Sequence, residues 1–400
     1  MTSIRLISIL FNCCFLVLSA CTHIPSTTAT QMGRFDNSLY VVLTTARGNA
    51  VPFIRLYDID KNKWGKKITI PDSDETVANK MISNEDLVYL QRHGDWQHNG
   101  VIYGIDKKSV FHKVIEIGNF ESLSGMDDEN YFVTEMKYLK DPNNKTNNWL
   151  FKGAKYNRKT KTRSEYHFDN NRDLIVTDTW EDDHSYWYAC FRGGLPQKYN
   201  IPQGVLVLVS KSKLNGKLDS YEFDGGNWIF KATIIGDKDW LWVFREARDI
   251  PHNKPSFAKF SKKDKTFVSA SIKANVSWPI TNADNITNDN YLWFIDPSFN
   301  STGKSTIFRV NKETSDSISI DLPMEIRITG TAIVDNEFVW LDAYKLKSYA
   351  PSGNTVPYLI KFSKKDLGYD VIYVKPTMSD SIKTIFENFF SWLLLPFFKG

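Results

Sequence analysis

"RLYDIDKNKWGKKITI", residues 55–70, is an apolar run that stops at Asp60-Lys61, crosses a short polar interval and resumes as a second apolar run. The same sequence of events recurs along the chain. It reads "LYDIDK" to Lys61, "IYGIDK" to Lys107, "GAKYNR" to Arg158, "VLVSK" to Lys211, "AKFSK" to Lys262, "FRVNK" to Lys312 and "IKFSK" to Lys364. In each copy a small polar residue precedes a cation. The polar residues, at 60, 106, 157, 210, 261, 311 and 363, are spaced by 46, 51, 53, 51, 50 and 52. One copy means nothing, because turn-forming stretches are common. Seven in a steady register are a structural repeat.

A second marker precedes each anchor: "NSLYVVL", "EDLVYLQ", "ENYFVTE", "HSYWYAC", "DWLWVFR", "NDNYLWFI" and "NEFVWLD". These segments are apolar or alternating over too few residues for a helix, and are rich in β-branched and aromatic types, so they read as strands. A further run follows each anchor: "KKITI", "HKVIEI", "SEYHF", "DSYEF", "FVSASI", "SISIDL" and "DVIYV". Asp, Asn or Ser at the anchor suits a tight turn, since its side chain can bond backbone two residues on. The anchor is therefore expected to join the third and fourth strands of a four-stranded unit. About four short strands in a period near 50 predicts an all-β, seven-bladed β-propeller over residues 37–377. The competing architecture, a pair of β-sandwiches, would impose no common register. Later repeats have room for a first strand, as in "NWIFKATIIG" and "MEIRITGTAIV". Blade one has only the polar stretch before Asn37, so either a weak strand near Gln31 to Phe35 fills that place or the ring closes otherwise.

The first two repeats, "LYVVLTT…IRLYDIDKNKWGKKITI" and "LVYLQRH…VIYGIDKKSVFHKVIEI", resemble the YVTN/lactonase-like propeller repeat. That resemblance implies the fold. It leaves function open, because the group holds both lactone hydrolases and non-enzymatic binding proteins. Repeated Gly-His and Trp-Asp pairs of the WD40 type are absent, and "FRGG" at Gly193-Gly194 stands in a kelch-like place only once.

Residues 1–20 read as a signal peptide, with Arg5 before a short apolar run and small residues before Cys21. "LSAC" resembles a bacterial lipobox, which implies cleavage before Cys21 and diacylglycerol on its sulfur. Residues 21–36 are then a lipidated tether. By the sorting rule of such lipoproteins, Thr22 in place of Asp favours the outer membrane, facing periplasm or exterior. Of the four cysteines, Cys13 and Cys14 leave with the signal, so a lipidated Cys21 leaves Cys190 without a disulfide partner. The mature chain must rely on a packed core, which 42% hydrophobic and 14% aromatic content can supply. A charge of +4, from 50 basic and 46 acidic residues, gives no reason to expect a nucleic-acid partner.

No catalytic motif stands out. "HGDWQH" brings His93, Asp95 and His98 together without a fourth ligand, so no metal or other cofactor is expected. "EDDHSYW" could seat an acid/base pair among Glu181, Asp182, Asp183 and His184 but reads more simply as a solvated turn. "GKST" at 303–306 lacks the earlier glycine of a phosphate loop and leads into a strand. The informative positions are the connections between second and third strands, which share one face of a propeller at the channel mouth. They carry Arg92, His93, Arg192, Arg245, Arg248 and Tyr344, a combination suited to a protein or anionic ligand. Residues 378–400 end the β pattern. Ile382, Ile385, Phe386, Phe389, Phe390 and Leu393 fall on a helical stripe too short to span a bilayer, which predicts an amphipathic C-terminal helix. Together these features lead to the expectation of a lipid-anchored propeller acting as a non-catalytic binding, scaffold, inhibitor or immunity-type protein. The alternative is a periplasmic hydrolase or lactonase-like enzyme with its site at the channel mouth.

Overall fold

The computed structural model describes residues 27–45, 52–71, 78–83, 88–92, 99–140, 147–166, 168, 174–193, 203–223, 228–229, 232–245, 257–268, 278–280, 289–296, 304–323, 326–346 and 355–373. Within them the chain forms seven antiparallel sheets, each built on four strands that follow one another in sequence and in space. The blades span residues 27–69, 78–117, 121–164, 174–222, 232–268, 278–321 and 326–373. In blade four the short strand Trp228–Ile229 adds to the third strand, so the start of "NWIFKATIIG" belongs to that blade and only Ala232–Gly236 opens blade five. Residues 1–20, expected to be a signal peptide, Cys21, expected to be lipidated, and residues 378–400, expected to form a helix, lie outside the described residues.

Burial follows position in the blade. The third strand of blade two, Gly100–Ile105, is buried throughout, while the fourth strand of blade one, Lys63–Thr69, is mostly exposed. Inner and middle strands are covered on both faces by neighbouring blades, which explains their unbroken apolar runs. Outer strands meet solvent and alternate. The core is a series of apolar layers between blades. One joins Trp187, Leu208, Ile234 and Phe260 across blades four and five. Close approach also decides one glycine. A Cβ at Gly236 would stand 2.8 Å from the ring of Trp180, so the inner strand of blade five presses directly on blade four.

All seven anchors lie where the third strand turns into the fourth. Each turn contains one residue at positive φ: Asn62, Ser109, Lys161, Gly216, Lys265, Ser315 and Leu367. Only one of these is glycine, and such a conformation costs other residues roughly 1–2 kcal/mol. The anchor side chain offsets that cost by capping the turn. Asn157 Oδ1 accepts from the N–H groups of Lys159 and Thr160, and Asn311 Oδ1 does the same for Glu313 and Thr314.

The cation of the anchor has a second role that the spacing alone does not reveal. It reaches the preceding blade and meets an aspartate in the turn between first and second strands. Lys262 Nζ lies 2.7 Å from Asp182 Oδ2, Lys312 Nζ 3.4 Å from Asp237 Oδ2 and Lys364 Nζ 2.5 Å from Asp289 Oδ2. Lys211 meets Glu129 at 2.8 Å and Asp127 at 3.7 Å. The aspartates also cap their own turns: Asp182 Oδ1 accepts from the N–H groups of His184 and Ser185, and Asp182 Oδ2 from the Trp187 indole. Four consecutive seams, between blades three and seven, are thus clasped in the same way, and the exposed Lys107 of blade two makes a longer version of the contact, 3.9 Å, to Asp36 of blade one.

Ring closure is different. Residues 27–35, expected to belong to a tether, form the inner strand of blade one, so the propeller includes residues ahead of 37. Met32 and Phe35 are buried, facing blades seven and two respectively, and this burial draws the polar stretch into the sheet. Among the described residues no blade combines strands from both ends of the chain. Instead Met32, Val41, Tyr57, Ile333, Trp340 and Leu359 pack across the seam, Trp64 Nε1 donates to the Tyr373 carbonyl, and Arg34 pairs with Asp335 at 3.6 Å. Lys61, the anchor cation of blade one, turns back to its own Asp58.

Candidate functional site

The second strands all run toward one end of the ring, where they lead into the connections to the third strands. Arg92 and Arg245 are the last residues of their strands, opposite Ala78 and Ala232, and Arg192 is one residue from the end of its strand, opposite Leu174. Tyr344 holds the corresponding place in blade seven, between Arg327 and Pro357, and is half-buried. The topology therefore brings these four predicted positions to one face of the propeller. His93 and Arg248 lie outside the described residues. Among the described residues, no three His, Cys, Asp or Glu side chains cluster as metal ligands would.

The opposite end of the ring is committed to structure. Asp182, considered above as an acid/base candidate, is held by two backbone N–H groups, an indole and Lys262. Burial pushes its carboxyl up, but these donors outweigh that effect and keep it below the ordinary carboxylate range. Burial moves Lys262 below the ordinary lysine value despite its partner. At the loop end, Ser305 of "GKST" is fully buried and accepts a hydrogen bond from Ile328 N–H of the next blade, a seam contact with no room for phosphate.

The loop end also holds a group that sequence reading missed. Glu121 begins the first strand of blade three and is buried. It accepts hydrogen bonds from Gly118 N–H at 2.7 Å, Tyr156 O–H at 2.5 Å and Arg163 Nε at 2.7 Å. Arg163 Nη2 continues to Glu135 at 3.1 Å. Burial first, then the adjacent carboxylate, pushes the Tyr156 hydroxyl far above its usual pKa, so it stays a proton donor. Nothing in "GNFESLSG" separates Glu121 from a surface acid. Its partners lie 35 and 42 residues away, and only folding brings them together.

No family model and no curated protein matches this sequence. Solved structures do. The β-propeller domain of the trilobed protease from Pyrococcus furiosus, described as having an open velcro topology, aligns with a TM-score of 0.52 at 12% identity over 88% of this chain and 99% of that one. The Pyrococcus horikoshii acylaminoacyl peptidase aligns with a TM-score of 0.53 at 14% identity over 86% of this chain and 52% of that one. A Mycobacterium tuberculosis puromycin-hydrolyzing peptidase gives 0.52 at 6% identity over 88% of this chain and 54% of that one. The chain thus spans about half the length of the whole peptidases it resembles. At such identities the likeness establishes the fold.

The solved structures named here are peptidases or the propeller domain of one, and that finding corrects the expectation of a non-catalytic binding, scaffold, inhibitor or immunity-type protein. That expectation rested on charged and aromatic loops, which a face admitting substrate also presents. The chain is a seven-bladed β-propeller of the architecture found in peptidases.

Proposed function

We propose that this protein is of hydrolase type and acts on peptides, with its site at the channel mouth on the end of the ring where Arg92, Arg192, Arg245 and Tyr344 converge. The likeness to peptidase propellers over nearly nine-tenths of the chain carries the reading. Three arginine positions on one face favour substrates with carboxylates, which guanidinium groups bind in two-point fashion. The YVTN/lactonase-like character of the first two repeats makes a simple lactone the natural comparison substrate. Full-length protein is expected to turn over peptide p-nitroanilides faster than the lactone. Arg192→Ala together with Arg245→Ala is expected to lower kcat/KM on an acidic peptide by about tenfold, roughly the worth of one charge-assisted contact. Absence of peptide turnover above the uncatalysed rate would sink the proposal.

The lipobox-like "LSAC" supports a further part of the proposal, anchorage by a lipid on Cys21 in the outer membrane. Labelled palmitate is expected in the wild-type protein and absent from Cys21→Ser. Equal labelling of the two excludes this anchor.

A further inference from the structure

Blade three departs from the others at the loop end. Its second and third strands, Asn130–Lys140 and Asn147–Asn157, pair along their whole length, but its first strand accompanies them only as far as Glu135, opposite Glu121. Five further pairs, from Met136 opposite Phe151 to Lys140 opposite Asn147, continue alone. At about 3.4 Å per residue this is an arm on the order of 17 Å long. In blades two and five the second strand ends level with the first, at Arg92 opposite Ala78 and Arg245 opposite Ala232. In blade seven one pair, Leu346 opposite Thr355, extends beyond the first strand.

Among the described residues the outer edge of the arm has no strand partner either. The fourth strand of blade three is only Arg163–Ser164, opposite Tyr156 and Lys155. Asn157 N–H bonds outward to the Thr162 carbonyl, so with no bulge in the register the odd-numbered residues of the third strand turn their backbone groups outward. That places the outward N–H and C=O of Asn147 and Trp149 on an edge with no strand partner among the described residues. The composition of the arm is one-sided. Positions 136–140 and 147–151 hold Lys137 and Lys140 and no acidic residue, with Tyr138 placed opposite Trp149; Lys152 stands next, opposite Glu135. Exposed strand edges pair readily with extended peptides.

We propose that this arm captures substrate, binding peptides that lie extended along its edge and carry carboxylates and apolar side chains. The proposal rests on the peptide-hydrolase reading above and supplies its substrate class. Charge complementarity selects this occupant. Two arms of charge +2 would repel, which disfavours a second copy. The even overall balance of 50 basic and 46 acidic residues disfavours a nucleic acid.

The test measures fluorescence anisotropy of two labelled decapeptides, one of alternating Glu and Val and one of alternating Lys and Val, with full-length protein. The same titrations are run on a variant carrying Lys137→Glu, Lys140→Glu and Lys152→Glu, its fold checked by circular dichroism. Wild type is expected to bind the acidic peptide at least about tenfold more tightly, and the variant to invert that preference. An inverted preference cannot come from unfolding. Equal binding of both peptides, or a preference unchanged in the variant, overturns the arm. So does displacement of the acidic peptide by single-stranded DNA at equal concentration, or a dimer that the three substitutions dissociate. Binding without hydrolysis leaves the arm and sinks the catalytic reading. Hydrolysis with no charge preference does the reverse.

Discussion

Asp335→Ala is expected to destabilise the protein by about 3 kcal/mol, seen as a shift of the urea unfolding midpoint. Asp335 is buried in the turn between the first two strands of blade seven and serves three groups. Its Oδ1 caps the N–H groups of Glu337 and Phe338 at 2.9 and 2.7 Å, and its Oδ2 accepts from the indole of Trp340 at 2.6 Å. Trp340 is fully buried at the closing seam, so its N–H would be left with no acceptor. Such a loss costs about 1–3 kcal/mol, and the lost turn cap adds about 1. The pair with Arg34 adds less, because that side chain is 20% exposed and 3.6 Å away. Asp335→Asn keeps an acceptor for the indole or the turn and is expected to cost less than half as much. Asp58→Ala provides the contrast. Its partner Lys61 is 75% exposed, and the change should stay within about 0.5 kcal/mol. If the two alanine variants unfold together, the turn aspartates are not what secures the seams.

Glu121→Ala is expected to cost a similar amount, about 3 kcal/mol, and to behave unusually in combination. The substitution strips an acceptor from the buried Tyr156 hydroxyl, from Gly118 N–H and from Arg163, whose remaining carboxylate partner is Glu135. Tyr156→Phe alone should cost about 1 kcal/mol, since it removes one hydrogen bond from a carboxylate that keeps others. In the Glu121→Ala background the same change should cost nothing or restore stability, because it deletes a buried hydroxyl already without an acceptor. A double-mutant cycle by urea denaturation reads this directly. Strict additivity would show that the group is not a connected network.

Both residues bear on what the sequence made legible. The repeat was readable because every blade solves the same local problem, ending its third strand in a capped turn, and local problems leave local signatures. The small polar anchor and the cation beside it marked all seven turns. The partner of that cation was not readable. Lys262 and Asp182 are 80 residues apart, and the aspartate sits in a turn whose sequence varies from blade to blade. The inner strand of blade one was only half-visible for a related reason. "TTATQMGRF" has low apolar content, and its place in the sheet depends on Met32 and Phe35 meeting two different blades. At the loop end, the positions of three arginines and a tyrosine share one face because strand direction follows from the repeat. The length of the blade-three arm was missed, because "MKYLK" and "NNWLF" read equally well as connection.

Among the described residues every strand pairing joins residues of a single blade, whereas the bond from Trp64 to the Tyr373 carbonyl spans 309 residues. On a ribosome, each sheet is complete as soon as its own fifty or so residues have emerged, and successive sheets can stack in order of synthesis. The interface between blades seven and one must wait until Tyr373 has emerged, which leaves the flank of blade one, with Tyr57 and Val41 uncovered, as the surface most in need of a chaperone until then.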